Sequence, residues 1–139
     1  MKFVLFVEGP TEKQALPDWI GGWLEQQLQL RMRIKIVGFE GWSDYVKHIR
    51  NKVALNLSGK VGEDVIAGIG LLDLYGPTFY PSGVSTVADR YAWAKRHIEQ
   101  TVAHPKFRQH FAVHETEACL LGAPSILPAQ VKNALPGGC

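Results

Sequence analysis

Five carboxylates stand where short apolar runs give out. Glu8 follows Val4-Leu5-Phe6-Val7, with Glu12 about one helical turn later. Asp73 closes the run that begins at Asp64, and Glu115 and Glu117 follow Phe107 to Val113, just behind His114. Carboxylates gathered in one cleft repel, and one takes up a proton unless a cation neutralises the group. A donor set of hard oxygens with few nitrogen or sulfur partners suits Mg²⁺ or Mn²⁺. Such ions serve phosphoryl transfer by clamping the attacking and leaving oxygens. Glu8 and Asp73 directly follow long apolar stretches and are the expected metal ligands, with Glu12, Glu115 and Glu117 as further ligands or a second site. For Glu12 the alternative, an acid complementing a helix dipole, carries equal weight. His114 has the side chain for general acid or base work at neutral pH; a structural hydrogen bond to a strand-end carbonyl explains it equally well.

Those residues act together only if the fold collects them. Val4 to Val7 is apolar at every position, as a strand buried on both faces requires. Thr11 with Gln14 predicts a capping box opening a helix, with Leu16, Ile20, Trp23 or Leu24, and Leu28 on one stripe. Pro17 interrupts that stripe and predicts a kink or a restart. Ile34 to Val37 is a second strand. Ser43 is the expected cap of a second helix whose inner face is Trp42, Val46, Ile49 and Val53. Asp64 to Asp73 is a third strand. Thr86 with Asp89 caps a third helix through Val87, Tyr91, Ala94 and Ile98. Phe107 to Val113 is a fourth strand, followed by helices over 115–121 and 125–135. Strands alternating with helices predict an α/β domain with a mostly parallel four-stranded sheet flanked by helices. Right-handed crossovers then bring the strand carboxyl ends, and the acids on them, to one edge.

Composition narrows the alternatives. The chain has 139 residues, 46% hydrophobic and 20% charged, enough for one domain with a true core and too apolar for disorder. No apolar run approaches the roughly 18 residues of a membrane-spanning helix. The apolar start is too short for a signal peptide and runs into Glu8-Gly9-Pro10-Thr11-Glu12, so a cytoplasmic protein is expected. Two cysteines, Cys119 and Cys139, make neither a disulfide scaffold nor a zinc cluster. A net charge of +2 permits nucleic-acid binding without arguing for it. Gly9 to Lys13 lacks the Gly-Lys-Ser/Thr ending of a Walker loop, and Ala118 stands where a zincin needs its second histidine. Thr11 and Lys13 at a helix start remain candidates for holding a phosphate, and Tyr75, just past the third strand, for contacting substrate or a metal-bound water. Phe79 and Tyr80 are expected to pack back onto the fold. The four tryptophans are expected to pack in the core or on a crossover, and Arg90, Lys95, Arg96, Lys106 and Arg108 to be solvated.

Val7-Glu8-Gly9-Pro10-Thr11-Glu12 resembles the first motif of Toprim domains, the module of topoisomerases, primases and OLD-family nucleases. Together with Leu72-Asp73-Leu74-Tyr75-Gly76 and His114-Glu115-Thr116-Glu117-Ala118, it resembles more closely a Toprim-related bacterial family, domain of unknown function 4276. The resemblance implies a single Toprim-like, Rossmann-like domain over 1–139. It implies Glu8 as acid–base or metal-bridging residue, Asp73 as principal Mg²⁺ ligand, and His114 on the functional side. It also implies a nuclease-like activity on nucleic acid, a setting in phage defence or DNA repair, and an ATPase partner. Two departures stand out. Tyr75 replaces the second aspartate of the Toprim Asp-x-Asp pair, and the chain stops at Cys139, short of a basic stretch, which implies a truncated C-terminus. Both departures favour an alternative, a non-catalytic module that binds nucleic acid or protein. A third reading is a phosphatase or nucleotide hydrolase using the same acids.

Overall fold

The computed structural model describes residues 1–113, without the side chains of residues 10–13 and 15. Strand β1 (Lys2–Val7) leads into helix α1 (Pro10–Leu28), then β2 (Arg33–Gly38) and α2 (Trp42–Leu57). A single turn, α3 (Gly59–Gly62), precedes β3 (Val65–Asp73), α4 (Val87–Val102) and β4 (Phe107–Ala112). The four strands form one sheet in the order β2-β1-β3-β4, parallel at every pairing. The predicted α/β class therefore holds, with each expected strand present.

Pleat alternation divides the core in two. Leu5 and Val7 of β1 join Leu16 of α1, flanked by Trp19, Ile20, Ile36, Ile69 and Leu71. On the opposite face Val4 and Phe6 meet Tyr45, Ile49, Val53 and Leu57 of α2 and Ala94 and Ile98 of α4. Gly68 and Gly70 of β3 face this second layer. A Cβ at Gly68 would lie 2.5 Å from Leu57 Cδ2, and one at Gly70 would lie 2.2 Å from both Tyr45 Oη and Gln109 Oε1. The two glycines let α2 settle directly on the strand. Beneath it Tyr45 Oη donates to Gln109 Oε1 at 2.7 Å, wholly inside the core. Burial pushes the Tyr45 hydroxyl well above its ordinary pKa, so it stays a donor.

Local details differ from the sequence expectation where backbone geometry overrides side-chain capping. Helix α1 starts at Pro10 with Gly9 as its cap, one residue before Thr11, because proline's fixed φ suits a first helical position. The helix continues through Pro17 to Leu28, with no restart. Helix α2 is capped by Gly41 at φ 97°, which leaves Ser43 inside the first turn. That left-handed geometry favours glycine. Its buried stripe runs through Tyr45, Ile49, Val53 and Leu57, with Trp42 and Val46 only partly covered. Thr86 caps α4 as expected, its Oγ1 accepting from Asp89 N at 3.1 Å. Trp23 is 57% exposed, although it shares the stripe of Leu16 and Ile20, so the packing role expected of it does not hold. The expected helices over 115–121 and 125–135 lie outside the described residues.

Two charged features mark the margins. Lys2 Nζ and Arg33 Nη2 each approach Asp64 at 3.1 Å, joining the starts of β1, β2 and β3 at the amino edge. On the outer strand β2, the exposed Arg33 and Lys35 alternate with the partly buried Ile34 and Ile36.

Candidate functional site at the carboxyl edge of the sheet

The site follows from topology. From β1 the chain passes through α1 on one face to reach β2; from β3 it passes through α4 on the other face to reach β4. The connections thus part company between β1 and β3, a topological switch point, and open α/β sheets bind ligands in the crevice outside the carboxyl ends there. Glu8 is the residue after β1 and Asp73 is the last of β3. The register pairs Val7 with Leu71, so the two acids occupy neighbouring strand ends. Strict alternation would send them to opposite faces of the pleat, Glu8 with Leu72 and Asp73 with Leu71. Past the last paired residues the chain folds back over the rim. A Cβ placed on Gly76 would lie 3.9 Å from Asp73 Cβ and 3.9 Å from Glu8 Oε1. The two side chains therefore border one small space, no further apart than twice that distance. Glu8 Oε2 is shut off from solvent.

β4 reaches the same rim, since Asp73 pairs with Ala112 and Leu74 N donates to Ala112 O at 2.9 Å. His114, Glu115 and Glu117 follow it in sequence and lie outside the described residues, as do the side chains of Thr11, Glu12 and Lys13. Among the described residues no group of three or more histidine, cysteine or acidic side chains gathers as a metal site. The described part of the site is a pair of acids, and its donor set is oxygen alone.

Tyr75 is 56% exposed at this rim, with the Arg90 guanidinium 5.5 Å from its ring centroid. The same guanidinium lies 5.1 Å from the centroid of Tyr80. Tyr80 in turn donates its hydroxyl to Leu74 O, tying the loop to the end of β3. Burial raises the Tyr80 pKa, with Arg90 pulling against that shift and Tyr75 adding to it. Phe79 and Tyr80 pack back onto the fold as expected, Phe79 lying 5.9 Å from Trp42 and 5.3 Å from Trp93. The basic residues are less solvated than expected. Lys106 Nζ donates to Gly62 O and Val65 O at 2.8 and 2.9 Å, and Lys95 Nζ lies 2.6 Å from Glu99 Oε1. Both ammonium groups serve the fold.

Two features escaped the sequence reading. Asp44 and His48, one turn apart at the start of α2, lie 2.6 Å apart, Oδ1 to Nδ1. The Glu40 backbone N–H donates to Asp44 Oδ2 and, with His48, holds that carboxyl below its usual range. Asp44, Gly9 and Glu40 border a common cleft of about 630 Å³, and Gly41 N donates to Glu8 O at 3.1 Å. Arg90 is the other feature. An i,i+4 Asp-His pair after a predicted strand was the available signal for the first; nothing in the sequence ties Arg90 to Tyr75.

Fold and site define an all-parallel, doubly wound α/β domain with an acidic pair at its switch point. The chain belongs to the family described as Domain of unknown function (DUF4276), whose model matches residues 7–137. No curated protein and no solved structure matches it. No helix among the described residues is long and apolar enough to cross a membrane.

Proposed function

We propose that the chain is a Mg²⁺- or Mn²⁺-dependent phosphodiester-processing domain of Toprim kind, acting on nucleic acid as a nuclease. The observation that carries this reading is the approach of Glu8 and Asp73 to a common space at the β1–β3 switch point. Two carboxylates converging on one crevice fit a hard divalent cation. Glu8 and Asp73 would hold it, with Glu12, Glu115 and Glu117 as further donors. Bound there, the ion would supply charge neutralisation for the phosphoryl oxygens. Glu8 and His114 are assigned the protons, taking one from the attacking water and returning one to the leaving oxygen. Tyr75, Thr11 and Lys13 are assigned to orienting the substrate. The resemblance to Toprim proteins supports a cytoplasmic setting in bacterial defence or DNA repair, beside an ATPase partner.

A second reading is a non-catalytic module using the same edge to bind nucleic acid or protein. The exposed ring of Tyr75, where the resembled pair has its second aspartate, favours it. The two separate on incubation with nicked, linear and single-stranded DNA and with RNA, in Mg²⁺, Mn²⁺ or EDTA. The nuclease reading expects metal-dependent cleavage that disappears in Glu8→Gln and in Asp73→Asn. Binding without cleavage, indifferent to both substitutions, replaces it with the module. Phosphate release from free nucleotides alone would reassign the acids to a small-molecule hydrolase.

A further inference from the structure

Beside the acidic pair, the loop after β3 and the first turn of α4 border an open cleft of about 500 Å³ whose lining includes Tyr75, Thr78, Tyr80, Ser82 and Arg90. Among the described residues that line it, none is acidic and Arg90 carries the charge. The guanidinium is already engaged with two tyrosine rings, at 5.5 and 5.1 Å. Ring contacts satisfy its charge in part but use none of its N–H groups, which lie in the guanidinium plane. Arg90 Nε is buried and finds no hydrogen-bond acceptor among the described residues, and no ion pair with a described acid involves Arg90. A buried donor without an acceptor is costly. An arginine held in place by aromatic rings, with its fork unspent, is preorganised for a planar, bidentate anion. The hydroxyls of Thr78, Ser82 and Tyr75 add donors that a phosphate accepts.

We propose that Arg90, positioned by Tyr75 and Tyr80, docks a phosphate group of the substrate in this cleft, next to the rim where Glu8 and Asp73 meet. The inference deepens the nucleic-acid reading above and rests on it for the substrate class. Tyr75 is two residues beyond Asp73 and adjoins Gly76, the residue bordering both acids, so a docked phosphate sits beside the scissile position and not at it. The cleft is of the size that takes a small organic ligand, so a terminal phosphate with its sugar is the fitting occupant.

The test needs no metal and no turnover. In EDTA, the full chain is titrated with inorganic phosphate, then with a dinucleotide carrying or lacking a 5′-phosphate, and followed by calorimetry and by amide chemical shifts. The native chain binds phosphate and the phosphorylated dinucleotide, with shifts centred on 75–84 and 90. Arg90→Gln weakens both by about tenfold or more, as loss of a charged hydrogen-bonding partner does. Arg90→Lys recovers only part, since an ammonium cannot bind bidentately. Thermal melting shows that each variant folds. Glu8→Gln binds phosphate at least as tightly as native, so a failed cleavage assay and a failed docking assay report separately. Equal phosphate affinity in native and Arg90→Gln, or none in the native chain, overturns the proposal.

Discussion

Replacing Gly70 by alanine tests how closely α2 rests on β3 behind the candidate site. A strand alanine ordinarily gains about 0.5–1 kcal/mol over glycine, so the sign of the effect is itself diagnostic. Here the added methyl would stand 2.2 Å from Tyr45 Oη and 2.2 Å from Gln109 Oε1. No rotamer of alanine avoids them, and the two atoms are held 2.7 Å apart by their own hydrogen bond inside a packed layer. Overpacking of this kind costs about 1–3 kcal/mol. Parting Tyr45 from Gln109 leaves buried polar groups short of a partner, for about 1–3 kcal/mol more. Urea unfolding should therefore show a loss of about 2–5 kcal/mol, and the melting temperature should fall by roughly 10 °C. Tyr45→Phe removes one obstructing atom and breaks the same bond in advance. The double variant should then be more stable than the two separate losses imply, by at least about 1 kcal/mol. An unchanged or raised stability in Gly70→Ala, or additivity within about 0.5 kcal/mol, would refute the close seating of α2.

Two further outcomes are expected. Thr86→Ala removes the acceptor for Asp89 N at the start of α4 and should cost about 1 kcal/mol in the same unfolding assay, with Thr86→Ser restoring most of it. Acid should destabilise the domain in a defined sense. Burial would raise the Glu99 pKa, but the Lys95 ammonium and the Gln109 N–H outweigh it and bring the carboxyl below its usual value. Stabilisation from such a group is full above the unfolded value and lost as pH falls through the folded one. His110, depressed by burial and then by Lys95, acts with the same sign at somewhat higher pH. The melting temperature should fall as pH drops from neutral, and Glu99→Gln should flatten the acid limb.

Much of the scaffold was legible because burial on both faces writes itself into composition. Val4 to Val7 and the run through Leu72 are strands in the structure, within a residue or two of their expected ends. The cap at Thr86 was visible for a different reason, as a local hydrogen bond between near neighbours in sequence. Helix starts at Pro10 and Trp42 were missed by a residue or two because backbone dihedrals, not a capping side chain, set them. At the site, alternating strands and helices already implied that Glu8 and Asp73 lie at one edge of the sheet; that they border one space depends on β1 and β3 being neighbours and on the turn at Gly76. The grouping of Arg90 with Tyr75 and Tyr80 did not. It depends on how the loop after β3 returns across the rim, a long-range event with no periodicity to betray it.

The outer strand β2 has a consequence for how these molecules meet one another. Two copies aligned side by side along it would bring Arg33 and Lys35 of each against the same cations of the other. Like charges opposed across a ladder are unfavourable, and lysine on an open border is a common guard against sticking. Self-addition through β2 is thereby discouraged, and neutralising those two positions should make it easier.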